Sequence, residues 1–126
     1  MMMRSTISFE RWLVLILNQE ESRSATVPEQ PLDETKPTRR FIVLSPKDPR
    51  PVFNCVECVS KKDTVHYPDV EIPADGKFFT KDTIVRVGYI YTLSKKLHGI
   101  KPVGLLSDRV LQSKIAMGLQ VYLPVV

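Results

Sequence analysis

The stretch Thr83-Ile84-Val85-Arg86-Val87-Gly88-Tyr89-Ile90-Tyr91-Thr92-Leu93 decides how the rest of the chain is read. Side chains of a strand alternate between two faces, so Val85, Val87, Tyr89, Tyr91 and Leu93 are predicted to line one side. Ile84, Arg86, Gly88, Ile90 and Thr92 then line the other. The run is filled with β-branched and aromatic residues and has no proline, which makes it the expected central strand of a sheet. Gly88, alone in mid-strand, marks a bulge or a close backbone approach.

Upstream, Phe41-Ile42-Val43-Leu44 is a short apolar run stopped by the turn formers Ser45-Pro46-Lys47-Asp48-Pro49, and Val52 to Val59 follows as a second strand. In that strand Phe53, Cys55, Glu57 and Val59 share one face, and Val52, Asn54, Val56 and Cys58 the other. Thr64-Val65-His66-Tyr67 is read as a third strand ended by Pro68. Asp75-Gly76 is a hairpin-type turn signal leading into residues 77–80. Of the ten prolines, only Pro102 and Pro124 lie beyond residue 73, so residues 28 to 73 are expected to be extended or turning.

At the N-terminal end, Phe9, Trp12, Leu13, Ile16 and Leu17 fall at i, i+3, i+4, i+7, i+8, one face of a helix over residues 5 to 20. Val14 and Leu15 widen that face, and a buried strand over Trp12 to Leu17 is the alternative, because a short apolar run does not fix the period. Asn18 to Arg40 has few apolar side chains and three prolines, too little to offset the entropy of ordering it alone. At the C-terminal end, Lys95 to Pro102 reads as a basic loop. Ser107 is expected to cap a helix with Asp108 in its first turn. Leu111, Ile115 and Leu119 form its stripe, Val110 and Met117 lie beside it, and Gly118 ends it. Residues 121–126 complete the pattern as a strand confined by Pro124 to a sheet edge.

The resulting expectation is an α+β fold: a small mixed or antiparallel β-sheet core with an N-terminal helix and a C-terminal helix, plus an extended proline-rich arm. By residue number this divides into an N-terminal helix at 1–20, a linker or arm at 21–40 and a β-rich domain at 41–126. A length of 126 residues suits one modest core.

Charge is unevenly placed along the chain. Residues 1–34 carry three arginines against six carboxylates, a net −3, whereas residues 77–114 carry eight Lys and Arg against Asp82 and Asp108, a net +6. A basic half of this kind meets an oppositely charged protein neighbour or a phosphate backbone. The apolar run Trp12 to Leu17 is too short for a membrane span. Arg4, Ser5, Thr6, Ser8 and Arg11 match the composition of a mitochondrial presequence, from which Glu10 departs.

Catalytic signatures are missing: the sequence contains no G-x-x-x-x-G-K-[ST], G-x-G-x-x-G, H-E-x-x-H or G-x-S-x-G. Two cysteines are too few for a disulfide framework, so a reducing compartment is favoured. Cys55 and Cys58 have C-x-x-C spacing. A zinc site would consume both of them together with His66 and His98, and a redox pair requires a helix N-terminus where this segment reads as a strand. As strand residues three apart, the two thiols point to opposite faces of the sheet. Neither an enzyme, a metal nor a cofactor is expected.

The function expected from these features is that of a non-enzymatic structural or adaptor subunit of a larger assembly, of the virion or phage particle type. Its partners would be other protein subunits, copies of itself included, bound by Trp12, Leu13, Leu15 and Ile16. The alternative is an RNA-contacting accessory protein of a ribosome-like particle, with Lys95, Lys96, Lys101 and Arg86 meeting nucleic acid and Arg86 lying beside Tyr89 or Tyr91. No helix-turn-helix, zinc knuckle or RNP signature accompanies those residues.

Overall fold

The computed structural model describes residues 7–18, 38–61, 65–76 and 78–122. Among the described residues six strands run in the order β1 (Leu13–Asn18), β2 (Thr38–Val43), β3 (Val52–Ser60), β4 (Val70–Ile72), β5 (Thr83–Ser94) and β6 (Lys101–Leu105), followed by one helix, α1 (Arg109–Tyr122). They form a single antiparallel sheet in the spatial order β4-β5-β3-β2-β1-β6, curled into a half-barrel.

Among the described residues the expected N-terminal helix is replaced by a strand. Residues 13 to 18 form β1, paired on one side with β2 and on the other with β6. An inner strand buried on both faces reads as a continuous apolar run, and such a run overlaps a helical stripe at i, i+3 and i+4. Leu13, Leu15 and Leu17 enter one core cluster while Val14 enters the other. β1 lies inside the same sheet as β2 to β6. The arm at 21–40 lies outside the described residues except for its last three, which open β2.

β1 is preceded by Trp12, whose φ of +75° is left-handed, a costly conformation for a bulky side chain. Its peptide is held from two sides. The Trp12 N–H donates to the Val43 carbonyl at 2.8 Å, and the Trp12 carbonyl accepts from the Leu106 N–H at 2.9 Å.

Each sheet face carries its own core. On the helix side Val14, Ile42, Val56, Cys58, Val70, Ile72, Val85 and Val87 pack with Phe79, Leu106 and Ile115. On the opposite side Leu15, Leu17, Phe41, Val43, Phe53, Cys55, Tyr91 and Leu93 pack with Phe9, which stacks on Phe53 at 4.8 Å between ring centroids. The cysteines therefore sit in different cores, as strand alternation requires.

β5 does not keep one face inward along its length. Arg86 pairs with Glu57, but the next residue of β3, Val56, pairs with Ile90, so three residues of β5 are extruded between them. Across this bulge the odd-numbered residues change sides: Val85 and Val87 belong to the helix-side core, and Tyr91 and Leu93 to the other. Gly88 lies in the bulge. β5 is inner but not central; β3 and β2 hold the middle of the sheet.

The remaining differences are local. Residues 65 to 69 form no strand, and the short β4 comes after them; residues 78 to 80 are also non-strand. The segment read as a basic loop ends in β6 at Lys101. Asp108 rather than Ser107 caps α1, its Oδ1 accepting from the Val110 and Leu111 N–H groups at 2.9 and 3.2 Å. Gly118 does not end α1, which runs on to Tyr122, so residues 121–122 are helical and 123–126 lie outside the described residues. A Cβ at Gly118 would stand 2.8 Å from the Pro68 carbonyl oxygen, so glycine is there for close packing of the helix on the 65–70 segment.

Candidate functional site

Opposite the β5 bulge, β3 places a carboxylate inside the protein. Glu57 is 1% exposed, on the face opposite the helix, among Phe41, Cys55 and Tyr91. A charge there must be paired. Arg39 on β2 forms an ion pair with it, the Tyr91 hydroxyl donates to its Oε2 at 3.0 Å, and the Arg86 guanidinium stands 4.0 Å from its Oε1. Glu57 thus serves as an anchor that ties Arg39, Tyr91 and Arg86 together.

Arg86 is the link from this anchor to the surface. Its guanidinium lies 3.7 Å from the centroid of the Tyr89 ring, the arrangement expected from the sequence, whereas Tyr91 is the ring that turns inward to Glu57. Next to Tyr89, Gly88 leaves its backbone bare, and the Tyr122 ring at the end of α1 occupies the space a side chain would take, 2.9 Å from an ideal Cβ. Asp69 caps the same region: its carboxylate accepts from the Val87 N–H and feels the charge of Arg86 and the neighbouring His66. Partial burial outweighs these and holds its pKa above the ordinary value.

The basic residues do not form one patch. Lys95 is spent internally, donating to the Asp48 carbonyl at 2.7 Å with the Asp48 carboxylate 3.6 Å away. Asp48 is also gripped by Arg50, whose hydrogen bond is the main reason its pKa falls to about 2. Lys96 and Lys101 are exposed on either side of the β5–β6 connection. Arg86 lies nine positions before Lys95 on β5, which at about 3.3 Å per residue separates it from them by most of the strand's length.

The expected partner-binding set is also divided. Leu13 and Leu15 are buried in this chain's own core, while Trp12 and Ile16 are half-buried. The outward apolar surface lies instead on α1. Leu111, Ile115, Gly118 and Leu119 face the sheet, while Val110 and Met117 are 64% and 66% exposed and Val121 is 47% exposed. With Lys114 these outer residues recur at intervals of four, three and four, a seam of coiled-coil spacing.

Neither cysteine is chemically poised. Burial pushes the Cys55 and Cys58 thiols well up from their ordinary value, which favours the protonated form. His66 and His98 are both exposed. Among the described residues no group of three His, Cys, Asp or Glu is placed to hold a metal ion, and no helix is long and apolar enough to cross a membrane. No protein-family model matches the chain, and no curated protein matches it. Sequence reasoning missed Tyr122 and the α1 seam because it ended the helix at Gly118; the recurrence of Val110, Lys114, Met117 and Val121 was the available signal.

Proposed function

We propose that the protein is a non-enzymatic adaptor subunit that joins a larger assembly through the outer face of α1. The observation that carries this is the exposed seam of Val110, Met117 and Val121 on a helix whose other side already packs on its own sheet. Burying one such side chain contributes about 1.5–3 kcal/mol, so the seam is a surface with an unmet partner. The occupant is an amphipathic helix of another protein subunit, apolar along its seam and acidic at its flanks. Residues 109–122 contain Arg109 and Lys114 and no carboxylate, which complements such a helix. A second copy of α1 would instead set Lys114 against Lys114.

A photo-crosslinking amino acid at Met117 tests this in cells of the source organism. The expected product is a crosslink to one other protein, at a segment whose apolar residues recur at three- and four-residue spacing beside Asp or Glu. Val110→Lys with Val121→Lys abolishes it. Crosslinks only to this chain's own copies, crosslinks scattered over unrelated proteins, or a crosslink that survives the double substitution would sink the reading.

A further inference from the structure

Of the chain's four tyrosines, three are exposed, Tyr67 at 86%, Tyr89 at 48% and Tyr122 at 50%, and the fold brings Tyr89 and Tyr122 to the β5 bulge. Tyr89 lies in the bulge itself. Tyr122 covers Gly88. Tyr67 precedes Pro68, whose carbonyl touches α1 one turn before Tyr122, and it is two residues from Asp69, which is bonded to Val87. Solvent-facing rings, one of them stacked against Arg86, are a costly use of surface for a chain that has two well-filled cores to put them in.

We propose that this surface binds single-stranded nucleic acid, with bases stacking on Tyr89 and Tyr122 and a phosphate held at Arg86. Bases lie on aromatic rings whatever their sequence, and an arginine stacked beside a ring offers charge and planar donors together. Arg86 is suited to this because Glu57 steers it without saturating it. The carboxylate is engaged by Arg39 and by the Tyr91 hydroxyl, and a guanidinium 4.0 Å away retains most of its five N–H donors. Gly88 lets the Tyr122 ring lie close against the backbone beside Tyr89. The chain as a whole carries a net +4, a field that favours a polyanion. A proline-rich peptide also packs on tyrosine ridges, but it gains nothing from that field.

The full chain is titrated against a fluorescently labelled short oligothymidylate and oligouridylate, with anisotropy as the readout. Affinity is expected to fall about tenfold between about 50 and 200 mM salt, as two or three phosphates are neutralised. Tyr89→Ala weakens binding by about tenfold, and Tyr89→Phe, which keeps the ring, restores it. Arg86→Ala weakens binding and flattens the salt dependence, whereas Met117→Ser, on the separate α1 seam, changes neither. Circular dichroism melts of the Tyr89 variants verify that the fold is kept. No binding at low salt, equal binding by Tyr89→Ala and Tyr89→Phe, or a proline-rich peptide that binds independently of salt and displaces the oligonucleotide would each overturn the proposal.

Discussion

The first half of β5 and its second half obey opposite rules. From Thr83 to Val85 the strand lies between β4 and β3, and up to Val87 its odd-numbered valines face the helix-side core. From Ile90 to Ser94, the described residues give it β3 as partner, and its odd-numbered residues face the other core. The difference teaches that one strand serves two cores when a bulge lets it change phase, and that the turning point is where a polar group is worth burying. Glu57 sits at that point, cross-paired with Arg86 just before the change and bonded to Tyr91 just after it.

The largest expected effect comes from breaking that turning point. Glu57→Ala leaves the Tyr91 hydroxyl and a shielded Arg39 without their acceptor, and should lower unfolding stability by about 3–5 kcal/mol in urea titration. Glu57→Gln keeps an acceptor for Tyr91 and should cost less. An alanine variant as stable as the parent would mean that the two halves are not joined through this carboxylate.

Core truncations come next and compare the halves directly. Leu93→Ala should cost about 2–5 kcal/mol and Val85→Ala roughly 1.5–3 kcal/mol, since both side chains are fully buried and differ in the volume removed. If only one of them destabilises the protein, one of the two cores is not a core.

The smallest effect sharpens the comparison. Cys58 pairs with Val85 and Cys55 with Tyr91, so each thiol reports on one half. Two free thiols are expected in denaturant without reductant, and slow alkylation of both in the native state. Val85→Ala should speed modification of Cys58 more than of Cys55, and Leu93→Ala the reverse. Because burial raises both thiol pKa values, the folded state holds protons that the unfolded state releases near the ordinary value of 9.0. Stability should therefore be untouched by these groups below that pH and fall as pH rises beyond it. Equal acceleration at both cysteines would show that the halves open as one unit.

Much of this was legible in the residues, and the rest was hidden for physical reasons. β2, β3 and β5 follow from β-branched runs bounded by turn formers, and strand alternation puts Cys55 and Cys58 on opposite faces without any structure. Gly88 announced the bulge but not its size, and three extra residues rather than two reversed the faces of Tyr91 and Leu93. β1 was disguised because an inner strand loses its alternation. β6, with Pro102, Gly104 and exposed neighbours, carries almost no apolar signal of its own and exists because β1 pairs with it. Gly118 looks like a helix end when only local propensity is weighed; the Pro68 carbonyl, fifty residues away, is what requires it. The sequence placed Arg86 beside Tyr89 or Tyr91 without choosing between them, and it gave no sign of the arrival of Tyr122 at Gly88.

The left-handed Trp12 has a consequence for how the chain folds. It is the only tryptophan, and its peptide closes one bond to Val43 and another to Leu106, just where β1 joins β6. That closure brings together residues some ninety positions apart, which makes it a slow, late step in a topology dominated by distant contacts. Intrinsic fluorescence of this protein is therefore a clock for the union of its two ends. A kinetic trace of Trp12 should lag the growth of β-sheet circular dichroism, and trimming the chain after Leu105 should silence the late phase.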